Sequence, residues 1–560
     1  MRKFMKKKII SCILVLQILI LGGCGNFSTA SGMEREVNTQ GIQDNYRTFY
    51  EVFVYSFYDS DGDGIGDLKG LTGKLDYIND GDDSSDSDLG FSGIWLMPIM
   101  PSTTYHKYDV TDYCDIDKEY GTLEDFKAFM EECDSRNISV IIDLAMNHTS
   151  SQHPWFLQAC EYLKGLDGKE PDGNECKYFQ YYNFSKEKLA GYYYPVEGTE
   201  WYYEGKFWSE MPDLNLANEN VRQEFTDICQ FWLDLGVAGF RLDAAKEYVS
   251  DRTADNVEIL SWFNDMVKSK KEDAYIVAEV WTDMDIYAKY YASGIDSLFN
   301  FSFASNDGII AKTVNGGNES YTAKTYGKAV EKCKEAFSEY SEAYMDAPFY
   351  TNHDMGRSAG YYSGEYSENQ TKIAAAMNLF MSGTAFVYYG EELGMKGSGA
   401  DEKKRAGMLW SLDKNAEGMC KGPEGADTVK MKYNSLEEQA EDSGSIYQYY
   451  KKAIKIRNSY PEIVKGDTVL VEELSNDKVC ALLKSYESMV EGKEELEEKE
   501  VLLLFNISSE EVEIDLSQIT LNGKEVNSKS LKESLLTSEA EAVLEDGKLS
   551  MPVYSVVVLE

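Results

Sequence analysis

Short apolar runs alternate with longer amphipathic stretches along most of the chain, and this alternation constrains the fold more than any other feature. Amphipathic stretches at 123–135, 219–235 and 371–382 are predicted helices. Eight apolar runs have the length of buried strands: 49–55, 93–98, 139–144, 238–243, 275–280, 297–301, 347–351 and 385–389. Eight strands separated by helices predict an α/β fold of the (β/α)8 TIM-barrel type.

Two segments depart from this alternation. Residues 148–215, between the third and fourth strands, are rich in Tyr and Trp, and they predict a small inserted subdomain over the mouth of the barrel. Residues 461–560 contain strand-like runs among acidic turns, which predicts a C-terminal antiparallel β-sandwich domain. The catalytic barrel would then consist of residues 46–147 and 216–460. No GxGxxG follows a predicted strand, so the sequence gives no support for dinucleotide binding.

The first residues predict a secretory signal. Five basic residues precede an apolar run at 9–21 that is short for a membrane span. The run ends in LGGC, which resembles the lipobox of bacterial lipoproteins, and cleavage after residue 23 would leave Cys24 lipidated. We therefore expect an extracytoplasmic protein held to the membrane by its lipid alone, with residues 24–45 as a tether. An uncleaved anchor is the alternative.

Charge and cysteine spacing exclude several classes of function. The chain of 560 residues has a formal net charge of −42, which opposes binding to nucleic acid and to anionic lipid. Its ten cysteines show no zinc-site spacing, and their disulfide pairing stays open. We expect a monomer with a neutral partner.

An acidic loop, FYDSDGDGIGDLKG, predicts a calcium site. Asp59, Asp61, Asp63 and Asp67 recur at nearly every second position and offer the oxygen ligands that calcium prefers. An EF-hand loop would need Glu at position 12, where this loop has Gly70. The loop by itself leaves open whether the ion acts as a sensor or as a structural clamp.

Polar residues stand where several predicted strands end. These are Asp143 with Asn147 and His148, Arg241 with Asp243, Glu279, and Asn352 with His353 and Asp354. Active sites of TIM barrels lie at the carboxyl ends of the strands. Four acids, an arginine and two of only four histidines are therefore expected to converge on one rim.

These segments carry a family resemblance. DLAMNH, GFRLDAAK, AEVW and FYTNHD, together with MPDLN, resemble the ordered sequence regions of the α-amylase superfamily, glycoside hydrolase family thirteen. The MPDLN form is similar to a group intermediate between oligo-1,6-glucosidases and neopullulanases, which includes lipoprotein α-amylases. The resemblance runs from about Thr48 to Ser459.

The resemblance implies roles for individual residues. Asp243 would be the nucleophile, Glu279 the general acid/base, and Asp354 the carboxylate that holds sugar hydroxyls. Substrate-binding roles fall to Tyr108, His106, His148, Arg241, His353 and Arg357. Arg405 and Trp410 match a segment near the outer substrate sites, where a packing role is equally open. Lys107 replaces a common Gly and is expected to face solvent rather than the substrate.

The resemblance also implies one structural calcium ion. Asp59, Asp61, Asp63 and Asp67 would supply carboxylates and Ile65 a backbone carbonyl, so the loop resembles a clamp rather than a sensor. A second family site uses an Asn like Asn147 and a His after the nucleophile. Lys246-Glu247 stands at that His position, which opposes a second site.

The resulting expectation is a retaining α-amylase that cleaves internal α-1,4 bonds of starch and malto-oligosaccharides. Oligo-1,6-glucosidase, neopullulanase and glucanotransferase activities use the same catalytic residues and stay open. A surface glycan-binding lipoprotein without catalysis is the alternative of another class, although it would be expected to have lost a carboxylate. A calcium-binding adhesion protein would explain only the acidic loop.

Overall fold

The computed structural model describes residues 42–82, 85–250, 252–316, 319–489, 496–517, 520–521, 524–525 and 530–560. The predicted signal, Cys24 and most of the predicted tether lie outside this part. Among the described residues, no helix combines the length and the apolar content needed to cross a bilayer. The eight cysteines in the described part are free thiols.

Eight parallel strands form the predicted barrel. They are β1 Phe49–Val52, β2 Gly93–Leu96, β3 Ser139–Leu144, β4 Gly239–Leu242, β5 Tyr275–Ala278, β6 Ser297–Phe299, β7 Met345–Ala347 and β8 Phe386–Tyr388. They are hydrogen-bonded in the order β7-β6-β5-β4-β3-β2-β1-β8. In the described part, one isolated parallel bridge joins Phe349, two residues after β7, to Phe386 of β8. The barrel is therefore nearly closed, as the TIM-barrel prediction requires.

The seventh strand lies earlier than predicted. The apolar run suggested residues 347–351, whereas β7 ends at Ala347. Pro348 follows, and it has no N–H to donate to a strand ladder. Its carbonyl still accepts a hydrogen bond from the Phe386 N–H at 2.9 Å. The chain thus leaves the sheet early, and the segment that carries His353 and Asp354 begins as a loop.

Aromatic rings fill the interior of the barrel. Phe386 stacks on Phe49 with ring centroids 5.1 Å apart and meets Phe299 edge to face at 4.9 Å. Trp95 packs on Phe299 at 5.4 Å. These rings close the barrel below the strand ends, so the functional cleft has a rigid, apolar floor.

Helices surround the barrel. The helix predicted at 123–135 has those bounds, and Thr122 and Asp125 form a capping box at its start. The α-helices are Leu68–Thr72, Leu75–Ile78, Leu123–Ser135, Pro154–Lys164, Glu219–Asp234, Thr253–Lys270, Met284–Tyr287, Ile309–Asn315, Ala323–Ser338, Ser367–Leu379, Asp401–Lys404, Leu436–Glu441, Ile446–Ser459 and Pro461–Lys465. Short 3₁₀ helices are Val54–Ser56, Lys177–Tyr181, Ala288–Ser293, Ser358–Gly360 and Ala426–Thr428.

The segment between β3 and β4 contains a small aromatic subdomain. Its antiparallel sheet consists of Phe184–Ser185, Tyr193–Pro195 and Tyr202–Glu204. The Phe156 ring meets the rings of Tyr182 and Tyr203 edge to face at 5.1 and 4.8 Å. Many of the aromatic side chains in this segment therefore form its core.

The C-terminal residues form antiparallel sheets, as predicted. One sheet consists of Asp467–Leu470, Val479–Met489, Leu496–Asn506, Ser555–Leu559 and Leu531–Leu535, and a second of Val512–Asp515, Lys548–Met551 and Val543–Glu545. Thr520–Leu521 pairs with Lys524–Glu525. Apolar side chains of the two larger sheets share one core. Phe505 packs against Tyr326 of a barrel helix, which joins the sandwich to the barrel.

Candidate active site

Polar residues at the carboxyl ends of β3, β4 and β5 meet around one guanidinium. Nη1 of Arg241 lies 2.8 Å from Oδ1 of Asp143 and 2.7 Å from Oδ1 of Asp243. Nη2 of Arg241 pairs with Glu279. Since Arg241 is fully buried, a fixed positive charge contacts carboxyl groups from three strand ends.

Asp243 and Glu279 are neighbours because they contact different nitrogens of that guanidinium. Their side chains are 12% and 11% exposed, so both reach a cleft without lying in open solvent. Retaining glycosidases place two carboxyl groups about 5 to 5.5 Å apart. Sharing one guanidinium is compatible with that spacing.

Glu279 is suited to act as an acid. Burial raises the pKa of Glu279 to about 8, and the charges of Asp243 and Asp354 add to the shift while Arg241 opposes it. A carboxyl group that keeps its proton at neutral pH can donate it to a leaving group.

The backbone after Asp243 is strained. Ala244 has φ of +48°, a left-handed conformation that non-glycine residues rarely adopt. The next N–H, that of Ala245, donates to the carbonyl of Glu279 at 2.9 Å. The turn therefore ties the ends of β4 and β5 together, and such strain is typical of functional sites.

The loop after β7 brings in His353 and Asp354. Nε2 of His353 lies 2.7 Å from the Tyr108 hydroxyl and 3.1 Å from Oδ2 of Asp354. Nη2 of Arg405 donates to Oδ1 of Asp354 at 2.9 Å. Although burial opposes it, the charges of His353 and Arg405 hold the pKa of Asp354 well below its usual range. Asp354 is therefore ionised at neutral pH.

The loop that carries His106 and Tyr108 is built around a buried carboxylate. Asp109 accepts hydrogen bonds from the hydroxyls of Ser102, Thr103 and Thr104. Nδ1 of His106 accepts from the Tyr108 N–H at 3.2 Å. Burial lowers the pKa of His106 to about 4, so this ring is neutral.

His148 presents a free ring nitrogen and feels the charge of Asp243. Within the described part of the chain, its buried Nε2 has no hydrogen-bond partner. Burial lowers the pKa of His148, with Asp243 opposing the shift. A neutral ring with an unpaired nitrogen can bond a ligand hydroxyl. The half-exposed ring of Phe207 lies against it, with centroids 5.4 Å apart.

The acidic loop after β1 brings three of its four predicted carboxylates together. Oxygens of Asp59, Asp61 and Asp67 lie within 4.8 Å of one another, a donor set that suits calcium. Asp63 instead accepts from the Ile65 N–H at 2.7 Å. Backbone hydrogen bonds from this loop to Gly418 and Lys421 clasp it to the segment after β8.

Comparison with known proteins identifies the family. The model of the alpha-amylase catalytic domain matches residues 51–466. The chain belongs to the alpha-amylase family. It is therefore a glycoside hydrolase, and the cleft at the ends of β4, β5 and β7 is where the family resemblance placed its catalytic residues.

Similar proteins extend over most of the chain. Alpha-amylase 3 of Dictyoglomus thermophilum is 37% identical over 475 residues, which cover 82% of this chain and 84% of that protein. The structure of Eubacterium rectale Amy13B is 49% identical with a TM-score of 0.85, covering 95% and 99% of the two chains. An alpha-amylase structure from H. orenii is 34% identical with a TM-score of 0.77, covering 92% and 99%.

Lys206 links Asp213 to Glu247, its backbone contacting the first and its side chain the second. Asp213 accepts from Nδ2 of Asn147 at 3.0 Å and from the Lys206 N–H at 2.9 Å. The Lys206 ammonium lies 3.1 Å from Oε2 of Glu247. In the described part, Asp59, Asp61 and Asp67 form the one group of three His, Cys, Asp or Glu side chains whose ligand atoms are close enough to share an ion.

Lys107 does not face solvent as expected. Its side chain is 3% exposed, and Nζ lies 3.0 Å from Asp117 and also pairs with Glu119. The φ of Lys107 is +64°, which explains why the family commonly has Gly here. The carboxylates of Asp117 and Glu119 pair with the buried ammonium, and these ion pairs hold the loop that carries Tyr108 in place.

Arg357 does not reach the cleft as a substrate-binding residue. It is 1% exposed, and its guanidinium lies over the rings of Tyr388 and Tyr389. Its Nε donates to the carbonyl of Lys404 at 2.8 Å. The Lys404 ammonium in turn donates to the carbonyl of Asp354 at 2.7 Å. Arg357 therefore supports the loops around the site from below.

Arg405 and Trp410 have different roles. Arg405 contacts Asp354 directly, whereas Trp410 is buried and donates from Nε1 to the carbonyl of Phe57 at 2.6 Å. The hydroxyl of Ser56 donates to the carbonyl of Arg405 at 2.7 Å. The packing alternative holds for Trp410, and Arg405 belongs to the site.

Sequence reasoning missed Glu51 and two exposed rings at the cleft. Glu51 of β1 is buried against His353, and its signal was a charge inside an otherwise apolar parallel strand. Trp281, two residues after Glu279, is 49% exposed and stacks on the ring of Phe301. The ring of Phe207 lies against His148. The position of Trp281, two residues after a strand-end acid, was the sequence signal for an exposed ring at this rim.

Proposed function

We propose that the protein cleaves internal α-1,4-glucosidic bonds of starch and malto-oligosaccharides with retention of anomeric configuration. One observation carries the proposal: a single buried guanidinium, that of Arg241, contacts both Asp243 and Glu279. This pairing brings together the nucleophile and the acid that double displacement requires.

In the first step, Asp243 attacks the anomeric carbon while Glu279 gives its proton to the glycosidic oxygen. The bond to the leaving chain breaks, and a covalent glycosyl ester forms on Asp243. The raised pKa of Glu279, about 8, keeps this proton available at neutral pH. Arg241 stabilises the carboxylate of Asp243 before attack.

In the second step, Glu279 accepts a proton from water as that water attacks the ester. The sugar leaves with its original configuration, and Asp243 is free again. Asp354, His353 and His148 hold hydroxyls of the sugar in the cleavage subsite. Their hydrogen bonds strengthen as the ring distorts, which lowers the barrier.

Exposed rings around the site support a polymeric substrate. Phe207 packs against His148, Trp208 follows it in the chain, and Trp281 lies two residues after Glu279; each is about half exposed. Flat rings stack on the C–H faces of sugars and leave the hydroxyls to polar neighbours. A cleft with such rings outside the catalytic centre suits a chain that extends beyond the scissile bond.

The proposal includes one structural calcium ion held by Asp59, Asp61 and Asp67, which supplies a cross-link between acidic segments. Asp63 and the Ile65 carbonyl remain proposed ligands. We also propose lipidation at Cys24, an extracytoplasmic location with the lipid as the membrane attachment, and a monomeric state. These last points rest on the sequence.

The test compares the chain from Asn26 with its Glu279→Gln variant on maltoheptaose, pullulan and isomaltose. Mixed short maltodextrins from the unsubstituted chain alone would support the proposal. Oligo-1,6-glucosidases and glucanotransferases are among the relatives, and glucose from isomaltose or products longer than the substrate would favour them. Panose from pullulan would indicate a neopullulanase. Binding of maltoheptaose without cleavage by either protein would favour a glycan-binding protein.

A further inference from the structure

A carboxylate that the double displacement does not use lies inside the barrel below the cleft. Glu51 of β1 is 1% exposed, and its Oε1 lies 2.6 Å from Nδ1 of His353. A buried carboxylate is costly unless it is paired. An apolar side chain would fill this place in a parallel strand without that cost, so the contact with His353 accounts for Glu51.

The other nitrogen of the same ring also faces acceptors. Nε2 of His353 lies 2.7 Å from the Tyr108 hydroxyl and 3.1 Å from Oδ2 of Asp354. A neutral imidazole can donate from one nitrogen only. When Glu51 is ionised, the ring therefore satisfies Glu51 and Asp354 together only if both nitrogens carry protons. Burial raises the pKa of Glu51, and the contact with His353 opposes that shift and favours the carboxylate.

We propose that Glu51 is a positioning residue that holds His353 as an imidazolium and turns its Nε2 proton toward Asp354 beneath the bound sugar. The inference rests on the proposed function for its catalytic consequence. The charge of Glu51 matters as well as its shape, because a glutamine could accept from Nδ1 and leave the ring neutral. Nε2 would then accept from Tyr108 and offer Asp354 no proton.

Other charged groups also face this ring. They are Tyr108, Asp143, Arg241, Glu279 and Arg405. Burial lowers the pKa of His353, and Asp354 and Glu51 overcome that effect and raise it to about 9. All the other groups remain when Glu51 is replaced, so a change in the titration of His353 isolates its contribution.

The test uses Glu51→Gln, with Glu392→Gln as a matched control. Glu392 is also buried and accepts hydrogen bonds from the hydroxyls of Tyr50 and Tyr77 at 2.6 and 2.7 Å. These contacts do not involve His353 or the carboxyl groups around Arg241. The control separates the loss of a buried charge from the loss of this contact. For Glu51→Gln, kcat/KM on maltoheptaose should lie within about threefold of the unsubstituted enzyme at pH 5.5 and about tenfold below it at pH 8.

Nitrogen NMR of the histidine-labelled protein reads the protonation state directly, with His353→Asn assigning the signal among four histidines. His353 should keep both protons through pH 8 in the unsubstituted protein and lose one near neutral pH in Glu51→Gln. Equal titration in both proteins, or an equal activity loss at every pH, would overturn the proposal. If Glu51→Gln does not fold, a His353 that is neutral at pH 7 in the unsubstituted protein overturns it alone. This measurement needs no glucan, so it stands apart from the proposed activity.

Discussion

Nη2 of Arg405 donates to Oδ1 of Asp354 over 2.9 Å, and this contact joins the loop after β8 to the carboxylate after β7. The arginine is 3% exposed, so its charge acts on Asp354 with little screening by water. His353 and Arg405 together keep Asp354 ionised, and Arg405 fixes its orientation from about fifty positions further along the chain.

Removing this arginine is expected to reduce activity. Arg405→Met should lower kcat/KM on maltoheptaose about 100-fold, equivalent to about 2.7 kcal/mol, because Asp354 loses a charged partner and its orientation. Arg405→Lys keeps the charge but loses the planar guanidinium, so its kcat/KM should lie between those of Arg405→Met and the unsubstituted enzyme. Steady-state kinetics checks the order, and a fully active Arg405→Met would contradict the role of this pair.

Glu279 gives activity an upper pH limit. Since its pKa is about 8, kcat/KM should fall about tenfold per pH unit above pH 8 as the acid loses its proton. A pH profile on maltoheptaose checks this limit. Activity that stays level to pH 10 would show that another group supplies the proton.

The same shift predicts a pH-dependent gain in stability for Glu279→Gln. A carboxyl with a raised folded pKa stabilises fully below its unfolded pKa, and that contribution is lost as pH rises toward about 8. Glu279→Gln should therefore melt about 1–3 °C above the unsubstituted protein at pH 8 and show little difference at pH 4.5. Scanning calorimetry measures the Tm of the two proteins at pH 4.5 and at pH 8. A higher Tm of Glu279→Gln at pH 4.5 alone would contradict the raised pKa of Glu279.

Chelation should destabilise the protein through the acidic loop. At free calcium 100-fold above Kd the ion would contribute about 2.7 kcal/mol, so EDTA should lower Tm and added calcium should restore it. Asp61→Asn should lower Tm in calcium and respond little to EDTA, whereas Asp112→Asn, elsewhere on the surface, should behave like the unsubstituted protein. If EDTA left the Tm of the unsubstituted protein unchanged, the proposed calcium ion would be contradicted.

At position 107, backbone strain lowers the stability of the protein and the buried ion pairs raise it, and two substitutions separate these effects. Lys107→Ala loses the buried ion pairs and keeps the left-handed backbone, whereas Lys107→Gly loses the pairs and relieves the strain. We expect Lys107→Gly to be about 2 kcal/mol less stable than the unsubstituted protein and Lys107→Ala about 1 kcal/mol less stable still. Urea unfolding measures both, and the reverse order would mean that the backbone is not strained there.

Cys24 is expected to be the membrane attachment. Cys24→Ser should move the protein from the membrane fraction to the soluble fraction, since one thiol carries the proposed lipid. Fractionation with immunodetection checks this. Tight membrane association of the serine variant would point to an uncleaved N-terminal anchor.

The barrel could be predicted because the buried strands have runs of apolar residues and helices such as Leu123–Ser135 and Glu219–Asp234 have an amphipathic period. The strand-end acids followed from the same runs, since a TIM barrel brings its strand ends to one face. The end of β7 was misplaced because Phe349 and Tyr350 continue the apolar run, while Pro348 breaks the hydrogen-bond ladder.

Partnerships across long sequence distances could not be predicted. Nothing near Lys107 shows that its ammonium turns inward, because the burial depends on how Asp117 and Glu119 return to it. Arg357 stands close to Asp354 in sequence, yet its guanidinium lies over the rings of Tyr388 and Tyr389, away from the cleft. Residue type and spacing specify the chemistry on offer, and only packing decides which groups meet.

The clasp between the acidic loop and the segment after β8 has a consequence for how the protein is made. Asp59 bonds Gly418, and Ser56 bonds Arg405, so chain segments about 350 residues apart complete each other. A growing chain that already contains Asp243 and Glu279 still lacks the arginine for Asp354 and the second half of the clasp. We therefore expect full hydrolytic competence to arrive late in synthesis, because a fragment truncated before residue 405 has the carboxylates without the charged partner of Asp354.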